Sequence, residues 1–371
     1  MSRLTFASGT GVPLRRILTV AFVLALLASP TILVAGCSSG SDGDEAIQIA
    51  TATRPTASSP TARPTLRPTA PAEPAGTATP SPSTLEPSPI PPIETPADAP
   101  PVETPVAAPQ VQLSPDVIEQ GEASMVRLWG YMAPSAMAIF NERRYPLVAD
   151  GEFFWGILAA GVDQPAGDYP VVIQLYQANG ALLGELQTQI GVVAMDYAVE
   201  NIDLPPESTA LLTPELAQEE ANIRASTFAL FTAQKLWAGV FIYPVDAIIV
   251  SPYGIGRSYN GGPVSSHHGG VDLAAEEGVP VVASNSGRVA YAGPAPIRGN
   301  SVIIDHGVGV FSGYHHLSAI AVQAGQMVNK GDLVGNAGST GMVTGPHLHW
   351  EVIVRGVEID PIPWTLEEKG P

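Results

Sequence analysis

The sequence predicts an all-β protein in which two strand-rich regions are joined by one helix. Three observations carry this expectation. From about residue 111, short runs rich in Val, Ile, Phe, Tyr and Trp alternate with glycine-bearing turn pairs. After about Trp237 no long helical period appears. Between the two regions, residues 213–231 carry the start signals of a helix: Thr213 as N-cap, Pro214 in the first turn and Glu215 beside it.

The chain begins with a leader-like stretch. Arg3, Arg15 and Arg16 precede an apolar run over residues 17–27, and small residues close it in "LVAGC", residues 33–37. A basic start, a short apolar run and small residues before a cut site fit a secretory signal over residues 1–36. Residues 17–36 are also long enough for a membrane-spanning helix, but Pro30 and the Gly-Cys ending argue against one. "LVAGC" resembles the lipobox of bacterial lipoproteins. That resemblance implies that Cys37 is lipidated, becomes the first residue of the mature chain and anchors the protein to the outer face of a cell membrane.

Residues 37–110 read as a disordered linker. Residues 51–110 hold 17 of the 37 prolines and no aromatic residue. Such a stretch cannot bury enough apolar surface to offset its ordering entropy. At ~3.1 Å per residue in polyproline II form, it reaches roughly 200 Å when fully extended.

Residues 111–197 are expected to form a small β-sandwich. "MVRLWGYM", "EFFWGILAAG", "YPVVIQLYQ" and "ELQTQIGVV" are separated by Asp150-Gly151, Ala166-Gly167 and Asn179-Gly180. The region has no histidine, no cysteine and no acidic cluster, so no chemistry is assigned to it. It resembles an immunoglobulin-like spacer or wall-binding module. Residues 198–237 form a connecting segment whose helix offers Leu216, Ile223 and Phe228 as an apolar stripe. Residues 238–366 are expected to form an antiparallel β domain, followed by a tail over residues 367–371.

Charge and cysteine content exclude some functions. A net charge of -18 disfavours nucleic acid as an electrostatic partner, and no basic run offsets it in the second half. One cysteine permits neither an intrachain disulfide nor a thiolate metal cluster. Any metal must be held by nitrogen and oxygen.

The seven histidines, His267, His268, His306, His315, His316, His347 and His349, all lie in the last domain, and none in the first 266 residues. Histidine is the commonest metal ligand and the usual acid–base at neutral pH, so a site of imidazole and carboxylate is expected. His347 and His349 share one face of a strand with Glu351, their Cα atoms about 6.7 Å apart. His268 and Asp272 stand four apart in "SHHGGVDL", ~13 Å if fully extended. Gly269-Gly270 permits the chain to bend inward, and adjacent glycines disfavour the competing helical pair. His315 and His316 alternate in direction, so at most one is expected to point into a given site. Three protein ligands with an open fourth position is the arrangement of a catalytic zinc. No "HExxH" helix is present.

The blocks "HGGVD", "GNSVIIDHG", "YHHLS", "GQMVNKGDLVG", "GSTGMVTGPHLHWEV" and "DPIPW", over about residues 238–366, resemble the LytM/lysostaphin-type zinc endopeptidases that cut peptidoglycan peptides. The resemblance implies an antiparallel β fold of the duplicated hybrid type, with Zn2+ held by His268, Asp272 and His349. It makes His316, from the Y-x-H-L block, and His347 the catalytic histidines beside a metal-bound water, which attacks a peptide cross-link. Glu351 is a candidate partner that orients an imidazole.

His267 and His315 are expected to be bystanders, His315 at a groove or surface, and His306 a turn or strand-end residue. Asn300, Ser339, Thr340 and Thr344 are candidates for the groove wall. Lys330, in "NKGD", lies off the motif of biotinyl and lipoyl carriers, whose hairpins this stretch resembles. The rival functional expectation is a catalytically silent relative that binds cell wall or activates an amidase. An intact ligand set argues for the enzyme.

Overall fold

Alternation of buried and outward residues builds the first strand region. In β3 (Ala123–Trp129), Ser124, Val126 and Leu128 are buried while their neighbours are half-buried, as expected of a pleated strand with one face on a core. The computed structural model describes residues 109–131 and 133–371. The leader, Cys37 and the proline-rich linker lie outside the described residues.

Around β3 stand β1 (Gln110–Ser114), β2 (Val117–Glu119), β4 (Ser135–Phe140), β5 (Arg143–Asp150), β6 (Phe153–Ala159), β7 (Gly167–Tyr176) and β8 (Leu182–Val193). They pair as one path, β1-β3-β6-β5-β4-β7-β8-β2, antiparallel except for β2 on β8. β1 lies against β8 and β2 against β3, so the path closes on itself around a core. The three predicted turn pairs fall at strand ends. β4 and β5 are additional strands, joined through Asn141 and Glu142 at φ 46° and 63°, a hairpin turn built without glycine.

The connecting segment holds β9 (Val199–Ile202), α1 (Pro206–Thr209) and α2 (Pro214–Phe228). The expected cap is present: the Leu216 backbone N–H donates to Thr213 Oγ1 at 3.3 Å. The expected apolar stripe is incomplete. Phe228 is buried, but Leu216 and Ile223 are half-buried, and Glu220 and Thr227 share the buried face. Charge takes the place of the missing apolar contact. Glu220 pairs with Arg298 at 2.6 Å, and Arg224 pairs with Glu351 and Glu358 at 2.6 Å each.

Beyond the helix lie β10 (Ile249–Ser251), β11 (Gly256–Tyr259), β12 (Val264–His267), β13 (Val271–Leu273), β14 (Pro280–Val282), β15 (Gly287–Ala295) and β16 (Gly299–Gly307). They are followed by β17 (Val310–Leu317), β18 (Ala319–Ile320), β19 (Met327–Val328), β20 (Leu333–Asn336), β21 (Leu348–Val354), β22 (Val357–Ile359) and α3 (Pro363–Leu366). The main sheet runs β10-β13-β21-β17-β16-β15-β19, all antiparallel, with β22 also on β21. β9 pairs parallel to β11, so the connecting segment adds a strand to the hairpin β11–β12.

The two strand regions share one buried core. Trp155 of β6 meets Trp237 edge-on at 6.1 Å, Trp237 meets Trp364 at 6.3 Å, and Trp364 meets Phe241 at 5.2 Å. Because Trp237 is the middle ring of this chain, Trp237→Ala is expected to cost about 3–5 kcal/mol. A urea titration followed by far-ultraviolet dichroism reads the loss as a lower midpoint. A midpoint equal to that of the unaltered protein would mean that the junction does not hold the regions together.

Candidate metal centre

Register brings the candidate ligands together. Asp272 of β13 stands directly opposite His349 of β21, and His349 stands opposite His315 of β17. Residues opposite each other across a ladder share one face. His268 joins them from the turn just before β13. The two glycines after it act through close approach: a Cβ on Gly270 would lie 2.3 Å from the Trp350 carbonyl oxygen, and one on Gly269 would lie 2.0 Å from Glu358 Oε2. No side chain fits at Gly270, where the obstacle is backbone, and one at Gly269 would have to displace the Glu358 carboxylate.

Three donor atoms converge in this space. His268 Nε2 lies 3.0 Å from Asp272 Oδ1 and 2.9 Å from His349 Nδ1, and His349 Nδ1 lies 2.8 Å from Asp272 Oδ1. All three residues are buried. The surroundings fix which atoms carry lone pairs. His268 Nδ1–H donates to the Pro252 carbonyl at 2.8 Å, so its Nε2 lone pair faces the cluster. Burial pushes the His268 pKa down to about 4, which keeps the ring neutral at pH 7. Arg257 donates to the outer oxygen of Asp272 at 2.7 Å and leaves Oδ1 for the centre. A single hydrogen cannot satisfy three such atoms at once. A divalent cation can, and two imidazole nitrogens with one carboxylate oxygen suit zinc.

His316 and His347 flank the cluster with their rings 4.8 Å apart. His316 Nδ1–H donates to the Thr340 carbonyl at 2.8 Å, and His347 Nδ1–H to the Gly345 carbonyl at 2.9 Å. Each ring therefore keeps Nε2 free, and His347 Nε2 lies 3.7 Å from Asp272 Oδ1. Burial, with His347 and His349 close by, holds the His316 pKa well below the ordinary histidine value.

As expected, only one of His315 and His316 faces the open side of the donors: His316 lines the cavity there, and both nitrogens of His315 are engaged elsewhere. His316 has φ 60°, which breaks the strand's alternation, and both rings approach His349, at 5.5 Å and 6.1 Å. His315 is not at a groove or surface. It is fully buried, with Nε2–H donating to Glu351 Oε1 at 2.8 Å and Nδ1 2.8 Å from Ser301 Oγ.

Glu351 is 0% exposed and accepts from Arg224 at 2.6 Å and 3.3 Å. Its second oxygen stands 3.7 Å from His349 Nε2, a buried nitrogen with no hydrogen-bond partner of its own. Burial opposes its charge, yet Arg224 and Arg298 hold its carboxyl well below the usual range. His267 is not one of the donors: it lines the cavity beside them and pairs with Asp163 of the first strand region at 2.9 Å. His306 ends β16 inside the core, against Phe241, with Nε2 2.7 Å from Ser312 Oγ.

A cavity of about 330 Å³ opens over the donors, with Leu212, Arg257, Tyr259, Arg298 and Met342 among its walls. Asn300, Ser339, Thr340 and Thr344 do not line it. Asn300 and Thr340 instead brace a strand end: Thr340 Oγ1 accepts the Asn300 backbone N–H and donates to the Leu317 carbonyl, both at 2.9 Å. Arg224, Arg257 and Arg298 went unnoticed in the sequence, because single arginines 15 to 127 residues from their partners leave no local signal.

An antiparallel sheet thus bears a buried His–Asp–His cluster with two further histidines beside it. Residues 266–361 match Peptidase family M23, and the chain carries a domain of that family. Similarity extends to peptidoglycan DD-endopeptidase ShyA of Vibrio cholerae, 48% identical over 89 residues that cover 24% of this chain and 21% of that protein. DD-carboxypeptidase/endopeptidase Mpg of Neisseria gonorrhoeae is 44% identical over 99 residues, covering 27% and 23% respectively. The solved catalytic domain of the antimicrobial peptidase lysostaphin from Staphylococcus simulans is 32% identical, covers 35% of this chain and 92% of that one, and has a TM-score of 0.27. The chain thus spans under a quarter of the length of these two curated relatives.

Burial also lowers the His306 pKa to about 4. Unfolded, this ring binds a proton below its ordinary value of ~6.5, so between about pH 6.5 and 4 the unfolded state holds a proton that the folded state lacks. Stability is therefore complete above pH 6.5 and falls as pH drops through that window. His306→Gln is expected to flatten part of the decline in urea midpoints measured from pH 7 to pH 4. An unchanged slope would show that His306 does not contribute.

Proposed function

We propose that this chain is a zinc-dependent endopeptidase that hydrolyses peptide cross-links of bacterial peptidoglycan. The observation that carries the proposal is the convergence of His268 Nε2, His349 Nδ1 and Asp272 Oδ1 within 3.0 Å of one another. The naming of similar curated proteins as peptidoglycan endopeptidases supports the choice of substrate. His268, Asp272 and His349 would hold the metal. Zinc, when bound there, supplies Lewis acidity that acidifies a water and polarises a carbonyl.

The remaining work falls to the two flanking histidines. Their Nδ1 protons are tied to backbone carbonyls, so each ring is fixed in direction and offers Nε2 towards the centre. His316, buried and neutral, is positioned to accept the proton of the attacking water. His347, less buried and beside Asp272, would donate to the oxyanion or the leaving amine once a second proton, on Nε2, makes the ring a donor there. The catalytically silent reading draws no support from the donor set, since His268, Asp272 and His349 are all present. Anchoring through a lipid on Cys37, outside the cytoplasm, is proposed from the sequence of the leader alone.

Digestion of purified sacculi, followed by mass analysis of the released fragments, tests the activity. Cleavage at peptide cross-links, abolished by a chelator and restored by zinc, is the expected result; intact sacculi with zinc present would refute it. His349→Ala and Asp272→Ala are expected to lose both metal and activity and remain folded. His316→Ala should keep bound zinc while turnover drops by about 10²–10⁴. Full turnover in that variant would remove His316 from the mechanism.

A further inference from the structure

Glu351 poses a problem that the peptidase domain does not solve from within. Its carboxylate is fully buried between two imidazoles, with His315 Nε2 at 2.8 Å and His349 Nε2 at 3.7 Å. A buried charge left unpaired costs several kcal/mol. Two guanidiniums are in reach. Arg298 touches Glu351 only at 3.5 Å and is engaged by Glu220 at 2.6 Å and Glu358 at 2.9 Å. Arg224 grips it with both terminal nitrogens, at 2.6 Å and 3.3 Å, the paired geometry that makes arginine–carboxylate contacts strong and directional.

Arg224 belongs to α2, outside the residues 266–361 that match the family. Its guanidinium also packs over the Phe228 ring of the same helix at 4.9 Å, so its approach is fixed from both sides. We propose that Arg224 is a positioning residue for the metal centre, holding Glu351 where its carboxylate orients the ligand His349. This rests on the zinc reading of the His268, Asp272 and His349 cluster.

The physical chain has three links. His349 must present its Nδ1 lone pair to the centre, which requires its proton on Nε2. Among the acceptors around that buried nitrogen, Glu351 Oε2 is aimed at it from 3.7 Å, and a carboxylate behind a ligating histidine sets the ring's tautomer and raises its basicity. Without Arg224 the carboxylate keeps His315 and a marginal contact to Arg298, and its Oε2 loses the 3.3 Å grip that sets its stance towards His349. The helix is thus part of the centre, and not only a connection to it.

Competition against a chromogenic chelator gives zinc affinity on the purified full chain without any need for turnover. Arg224→Met is expected to weaken zinc binding about tenfold, within the range seen for lost orienting partners, and Arg224→Lys to weaken it less. Thr213→Ala removes the N-cap of the same helix without touching Arg224 or Glu351, and it should lower thermal stability yet leave zinc affinity unchanged. Should Arg224→Met fold poorly, Arg224→Met with Glu351→Gln removes both charges together; its affinity should equal that of Glu351→Gln alone, below that of the unaltered protein. Wild-type affinity in Arg224→Met, or an equal loss in Thr213→Ala, would overturn the role of Arg224 and leave the zinc reading standing. Failure of the unaltered chain to bind zinc would overturn both.

Discussion

Three lone pairs directed at one another inside a sheet are an unstable arrangement, and most of what surrounds them can be understood as its consequence. His268 Nε2, His349 Nδ1 and Asp272 Oδ1 meet because β13 and β21 pair in a register that sets Asp272 across from His349. That register leaves no freedom at the neighbouring turn, where Gly270 lies against the Trp350 carbonyl and would reject even a methyl group. The outward atoms of the same residues are tied off one by one, Nδ1 of His268 by Pro252 and Oδ2 of Asp272 by Arg257. The three inward atoms have only one another as partners, an arrangement that a cation can grip.

Charge around the cluster is managed in layers. Arg257 serves Asp272; Arg224 and Arg298 serve Glu351; Glu220 and Glu358 in turn hold the arginines. In a chain with 17 basic residues against 35 acidic ones, three arginines gathered at one site are a concentrated use of positive charge. The arrangement explains why α2 docks with so little apolar surface. Its buried face is Glu220, Thr227 and Phe228, and its ion pairs are shielded enough to be strong and specific in direction.

What the sequence revealed follows from how local each signal is. Strand alternation, turn glycines and the Thr213-Pro214 helix start are written in adjacent residues, and they placed β3, β6, β7, β8 and α2. Histidine spacing paired His347 with His349 and His268 with Asp272, and it took the family resemblance to bring His268, Asp272 and His349 forward as one set. The hairpin at Asn141-Glu142 escaped because its turn lacks glycine, which is the usual mark of positive φ. The buried pairing of His315 with Glu351 escaped because alternation says which face a side chain takes and not what meets it there, and the two stand 36 residues apart. Partners such as Arg224 and Glu351, 127 residues apart, are joined only by the folded topology.

The first strand region supplies none of the donors, yet it bears on the site through mechanics. Its Trp155 enters the core that also holds Trp350, the residue between His349 and Glu351 in β21. The segment leaving it adds β9 to β11 and fixes Ser208 by donation to the Val343 carbonyl at 2.8 Å. Leu212 then stands in the wall of the cavity over the donors before α2 begins. A connection tethered at both ends and at its middle cannot swing as a loose linker does, because each anchor removes freedom that the next would otherwise need. The cavity is therefore shaped by residues on both sides of the domain boundary that the sequence suggests, and the connecting segment belongs to the site as much as the strands that carry the histidines.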